Sequence, residues 1–308
     1  LAKARSLEQR AEESKALGNL GLLYLTVGDA QRAIEGYNQA LMISRDIDDR
    51  RGEAQWLGNL GKAYAALDRS HEAVEYFQQA LAINRELGDR QSEVKWLGAM
   101  GLEFVVIGDV SRGFDCFQRA LEISREIGYR LGESVVWALA GIGYGTIGEA
   151  DEAIDRIEKS LRISREIRDR HGERMALHNM GLAHRDLGEA QEAVHCFEQA
   201  LLISRELGDL RAESHELGSI GEALTNLGRA QEAIQYFEQA IIVSRRIHDR
   251  RAEGNQQSKL GDAYYDLQDF SKAIEAYEKA LVTSREVGDQ YGEARSVINL
   301  SNAHMAID

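Results

Sequence analysis

Few residues in this 308-residue chain stand at spacings that do chemistry. Residues 141–148, GIGYGTIG, contain Gly143-x-Gly145-x-x-Gly148. That string cradles a dinucleotide pyrophosphate when it follows a strand and opens a helix. Here it aligns with GKAYAALD at 61–68 and shares its helical apolar spacing, so it lies inside a helix and no nucleotide is expected. Glycine costs ~1 kcal/mol in a helix relative to alanine. These glycines therefore imply a softened fourth unit, a bend near the irregular Gly113 and Tyr129, or close approach of a ligand. His171, His178, His184, His195 and His215 crowd one region, but no HExxH or CxxC motif groups them. They read as surface or packed histidines, with no metal site. No Ser, Cys or His stands in a nucleophile motif, and the carboxylates recur at helix starts. The reading is a non-catalytic chain without a cofactor. Cys116 and Cys196 occupy equivalent positions two periods apart, too far to bridge, which points to a reducing, cytoplasmic setting. The sequon Asn299-Leu300-Ser301 carries weight only in a secreted chain.

What positions these residues is a period of 40, without insertion or deletion from Ala11 to Asp308. The stretch from Leu57 to Asp89 shows the unit. Two segments carry apolar residues at i, i+3, i+4 and i+7, which predicts helix A over about 52–67 and helix B over about 70–87. Residues 1–10 read as the end of a second helix. Seven units follow at 11–50, 51–90, 91–130, 131–170, 171–210, 211–250 and 251–290, and 291–308 match the first helix of an eighth. The chain begins and ends inside the pattern, as a piece of a longer protein would. Gly28-Asp29 and Gly88-Asp89 exemplify the two turns: glycine ends one helix and the acid caps the next. Every fortieth residue from Arg5 to Arg285 is arginine near a B-helix end, and every fortieth from Glu13 to Glu293 is glutamate opening an A helix. Each charge suits its helix terminus, and the pair reads as an inter-helix register mark rather than a ligand contact. The formal charge of −14 argues against nucleic acid and anionic membranes as partners, and no apolar run is long enough to span a bilayer.

The unit resembles the tetratricopeptide repeat: a small residue at Gly61, aromatics at Tyr64 and Phe77, alanines at Ala73 and Ala80. The family's usual period is 34 and its proline after helix B is missing here; six extra residues lengthen the helices by about 9 Å. The triplets Leu17-Gly18-Asn19 and Leu57-Gly58-Asn59 are similar to those of LGN/Pins-type scaffolds. The resemblance implies an all-α, right-handed superhelical solenoid of antiparallel helix pairs, with A helices lining a concave groove for extended or helical peptides.

Carried onto this chain, the groove positions are Asn19, Leu22, Leu25, Asn59, Lys62, Leu102, Val105, Val106 and Ile142 in the first four units. They continue as His178, Asn179, Leu182, Arg185, Asp186, Glu222, Asn226, Asp262, Tyr265 and Asp266. LGN/Pins-type grooves are rich in Asn and Arg at such places, and this one is not. The first set is mostly apolar and the second mostly charged or amide. That pattern predicts a protein or peptide partner with apolar anchors and a basic or amide-rich part; the other reading has neighbouring segments covering the apolar positions. The expected role is a protein–protein interaction scaffold. The alternatives are the sensor or regulatory portion of a larger enzyme or transcription regulator, and a spacer that self-associates end to end.

Overall fold

A computed structural model of the chain describes residues 2–307, with side chains from Leu7 onward. Among the described residues every regular element is an α-helix, and the chain divides into two compact units, 1–167 and 168–308. Unit 1 holds α1 (Ala2–Thr26), α2 (Ala30–Asp46), α3 (Arg50–Ala65), α4 (Ser70–Leu87), α5 (Arg90–Val106), α6 (Val110–Glu126), α7 (Arg130–Thr146) and α8 (Ala150–Glu166). Unit 2 holds α9 (Arg170–Asp186), α10 (Ala190–Leu207), α11 (Leu210–Asn226), α12 (Ala230–Arg246), α13 (Arg250–Asp266), α14 (Phe270–Val287) and α15 (Gln290–Met305). In each unit an odd-numbered helix pairs with the next even-numbered one as a hairpin, and successive hairpins stack.

The turns are as short as the sequence implies. Gly28 and Gly88 adopt left-handed φ of 87° and 66°, and Asp29 and Asp89 then accept the backbone N–H of Arg32 and Ser92. Where glycine is absent the backbone keeps the same form: Asp48, Asp68, Arg168, His248 and Gln268 all have positive φ. Helix starts fall at Arg50, Arg90 and Arg130, two residues ahead of the sequence expectation, because the capping residue is Asp49, Asp89 or Tyr129.

Packing explains the small residues. A β-carbon built on Gly61 would lie 2.6 Å from the Phe77 ring, so glycine lets α3 close on α4. Stacking between hairpins uses a second glycine. The Trp96 ring lies against Gly58, and the Trp56 ring against Gly18. The indole N–H of Trp56 donates to Ser14 Oγ at 3.0 Å, which satisfies a polar group sealed inside an apolar core. At the next step Val136 and Leu139 replace the indole against Gly98, so α7 comes close to α5.

The joints carry charge. Arg45 Nε donates to Glu53 Oε1 at 2.8 Å, Arg50 donates to Glu53 Oε2 at 2.5 Å, and Arg50 also reaches Glu86 at 2.7 Å. Burial pushes the Glu53 carboxyl up, but the two guanidiniums outweigh it and hold the pKa below the ordinary value. The same chain of four recurs as Arg85–Glu93–Arg90–Glu126, Arg125–Glu133–Arg130–Glu166 and Arg245–Glu253–Arg250–Glu286. The expected arginine–glutamate pair thus forms, joined by a second arginine that the sequence reading had not included. Arg5 lies outside the residues with described side chains.

Candidate functional site

The odd-numbered helices of each unit keep one face clear of the paired helix. In unit 1 that face shows Asn19 and Leu22 exposed, Leu25, Asn59, Leu102 and Ile142 half-buried, and Val106 exposed at 53%. Lys62 joins them, with its ammonium 5.6 Å from the centre of the Trp96 ring. Lys95, on the next odd-numbered helix α5, lies over the same ring at 4.1 Å. Neither ammonium has a carboxylate partner among the described residues. Burial pushes Lys62 down, and burial together with the charge of Lys62 pushes Lys95 down to about 8. Two like charges share one aromatic ring here, with no carboxylate paired to either among the described residues.

Two groove expectations do not stand. Val105 is buried at 2% rather than open to the groove. A β-carbon on Gly113 would meet its methyl at 2.6 Å, so the glycine that replaces alanine in α6 makes the space Val105 fills. Two glycines of α7 belong to the same packing. Gly141 lies against Ile157, a β-carbon on Gly143 would meet Phe117 and Val105 at 3.3 and 3.6 Å, and one on Gly145 would meet nothing. Gly141 and Gly143 thus serve helix approach, while Gly145 has no packing role.

His178 is likewise buried, between α9 and α11. Its Nδ1 lies 2.7 Å from Glu216 Oε2, and Arg174 Nη1 donates to Glu216 Oε1 at 3.3 Å. Partial desolvation of its ring and the nearby His178 push the neighbouring His215 down, although the residue as a whole is exposed. Glu216 stands where Trp56 and Trp96 stand in unit 1, and His178 where Gly18 and Gly58 stand. The sequence register therefore signalled a polar exchange at a core contact.

Other expected groove residues of unit 2 do come together. Arg185, Glu222, Asn226 and Asp262 line one cleft of about 380 Å³, joined by Lys259 and Arg295. Lys259 bonds Glu222, and Arg185 lies 4.0 Å from it. Asp262 accepts from Tyr277 Oη at 2.8 Å and Asn299 Nδ2 at 3.0 Å; burial raises its pKa, and the tyrosine hydrogen bond lowers it in part. Tyr265 and Asp266 line the adjoining space with Asp262. Asn179 and Leu182 are half-buried, Asp186 is exposed, and Leu182 packs on the core. The sequence reading missed Lys95, His215, Lys259 and Arg295. Lys259 stands in the same register column as Asn19, Asn59 and Asn179, while Lys95, His215 and Arg295 share one column a helical turn before it; His215 enters that reading only as one of the crowded histidines.

Stacked helical hairpins, each leaving one helix face open, define a helical repeat protein. The tetratricopeptide repeat model matches residues 12–86, 172–241 and 210–286, and the chain belongs to that family. The model of anaphase-promoting complex subunit 5 also matches, over residues 138–178. A search of curated proteins returns no match. Among solved structures, the chain is similar to a signal transduction ATPase with numerous domains from Pyrococcus horikoshii that has a tetratricopeptide repeat sensor. The TM-score is 0.64 at 16% identity, over 95% of this chain and 47% of that one. It is also similar to a Rap protein complexed with competence and sporulation factor (TM-score 0.59, 12% identity, 96% and 98% covered). Aspartyl phosphate phosphatase F from Bacillus subtilis gives 0.58 at 13% identity, over 89% and 75%. At these identities the likeness is one of fold.

Proposed function

We propose that the chain binds a segment of another protein along the open face of its odd-numbered helices and acts as a scaffold rather than a catalyst. The observation that carries this reading is the lysine pair on Trp96. Two partially desolvated ammoniums without a counterion repel each other, and an acidic group from outside relieves both costs at once. Beside them Leu102, Val106 and Ile142 offer apolar contact for the same segment. In unit 2, Glu222, Asp262 and Asp266 suit a basic or amide-rich segment. No catalytic role is assigned to any residue, and a reducing, cytoplasmic setting suits the two unpaired thiols.

The test is capture from the source lysate by the full chain, compared with a Lys62→Glu/Lys95→Glu variant and a Met42→Glu control on the even-numbered face. Partners should be lost from the double variant and kept by the control. Equal recovery from both would sink the reading. A second reading, the sensor part of a larger signalling protein, is favoured by the fold shared with the archaeal ATPase sensor. The full-length gene tests it: a neighbouring ATPase or regulator domain supports it, and a chain of repeats alone counts against it.

A further inference from the structure

We propose that His178, His215 and Glu216 form a transition-metal site in unit 2, taking a divalent ion of the zinc class through two imidazole nitrogens and one carboxylate oxygen. The three side chains come from neighbouring odd-numbered helices, and one ligand atom from each lies within 4.8 Å of the others. Zinc bonds of about 2.0–2.2 Å place tetrahedral ligand atoms about 3.3 Å apart, so small side-chain rotations close the set. His215 has that freedom because it is exposed, while Glu216 is fully buried at 0% and fixed.

The surroundings fit a metal better than an ion pair alone. Arg174 holds Glu216 Oε1 and leaves Oε2 aimed at the imidazoles, the outer hydrogen bond that orients a metal-bound carboxylate. The Phe197 ring, 5.4 Å from that of His178, fixes the first imidazole. An Arg174–Glu216–His178 chain accounts for the buried carboxylate, but it gives no reason for a second imidazole 4.7 Å from the first. A mixed nitrogen and oxygen set selects zinc, cobalt, nickel or copper over magnesium and calcium. A cleft of about 450 Å³ borders His215 and supplies the entry path. Arg174 and Lys259 add positive charge nearby, and Glu216 and Glu222 offset it. Bound metal would join α9 to α11 beside the cleft that holds Arg185 and Glu222, with its fourth position open to water or to a partner's side chain.

The full chain, stripped with chelator, is titrated with Zn²⁺ by calorimetry and with Co²⁺ by visible absorption. Native protein and a His195→Ala control should each bind one equivalent, with the strong visible bands of four-coordinate cobalt. His215→Ala should bind about 100-fold more weakly with unchanged helicity. Native affinity or unchanged cobalt bands in His215→Ala would overturn the site. So would a native chain that binds no metal tighter than that variant does.

Discussion

At the scale of single residues, the same amino acid has opposite worth at two positions. A β-carbon on Gly58 would sit 2.2 Å from the buried Trp96 ring, so Gly58→Ala forces the indole out of its contact. A loss of about 1–3 kcal/mol is expected, the usual cost of overpacking. Gly145 lies in α7 with nothing near its β-carbon position. Gly145→Ala should therefore stabilise by about 0.5–1 kcal/mol through helix propensity and a less flexible unfolded chain. Denaturant unfolding of the two variants checks both signs. Lys95 gives a pH prediction. Its pKa is about 8 when folded and about 10.4 when unfolded, so between those values the unfolded chain holds a proton that the folded chain has lost. Stability from this group therefore rises as pH climbs through that window, and the full penalty is present below pH 8. Lys95→Met keeps the packing on Trp96 and removes the charge. It should raise the melting temperature more at pH 7 than at pH 10.5, and an equal change at both would contradict the assignment.

Elements are where the sequence was most legible, because helix and cap are encoded within a few residues. Period, glycine turns and aspartate caps read directly, as Asp89 on Ser92 N–H illustrates. Exposure was less legible, since it depends on residues of other helices, across the hairpin or about 40 positions away. Val105 turned inward because Gly113 lacks a methyl, and His178 is buried because Glu216 replaced an indole at the facing contact. Lys95 and Arg295 were overlooked because helical faces are wider than the positions read from family likeness, whereas Lys259 lies in the column of Asn19 and Asn59 and was passed over within it. The joints show how such long-range dependence is stored. Arginine at 50, 90, 130, 170 and 250 bonds an acid 36 residues on: Glu86, Glu126, Glu166, Glu206 and Glu286. At the joint where arginine gives way to Leu210, the residue 36 further on is Arg246. Both members changed together, which avoids two facing guanidiniums. Leu210→Arg alone should be neutral or destabilising, because like charges meet. Adding Arg246→Glu should recover stability beyond the sum of the single changes. Exposed pairs are worth about 0–1 kcal/mol, so a double-mutant cycle is the measurement that resolves the coupling.

On the scale of the whole molecule, stability is built from neighbours rather than from one centre. The core of unit 1 runs from Ala33 to Ala140, and the clusters of unit 2 lie between Ala193 and Ala303. Each unit thus buries its own apolar residues, and hairpin stacking makes its stability a sum of local and nearest-neighbour contributions. Unit 1 seals its stacking contacts with Trp56 and Trp96, whereas unit 2 uses Glu216 and Gln256 against His178 and Gly218. Indoles bury far more apolar surface than amides or carboxylates, and Gln256 Oε1 is buried without a hydrogen-bond partner. Unit 2 should therefore open first. Residues 168–308 expressed alone should still be helical and melt cooperatively, at a lower temperature than residues 1–167 expressed alone. Hydrogen exchange on the full chain should show faster opening in α11 and α13 than in α3 and α5. Uniform protection across both sets of helices would mean that the tryptophan contacts do not set the local stability.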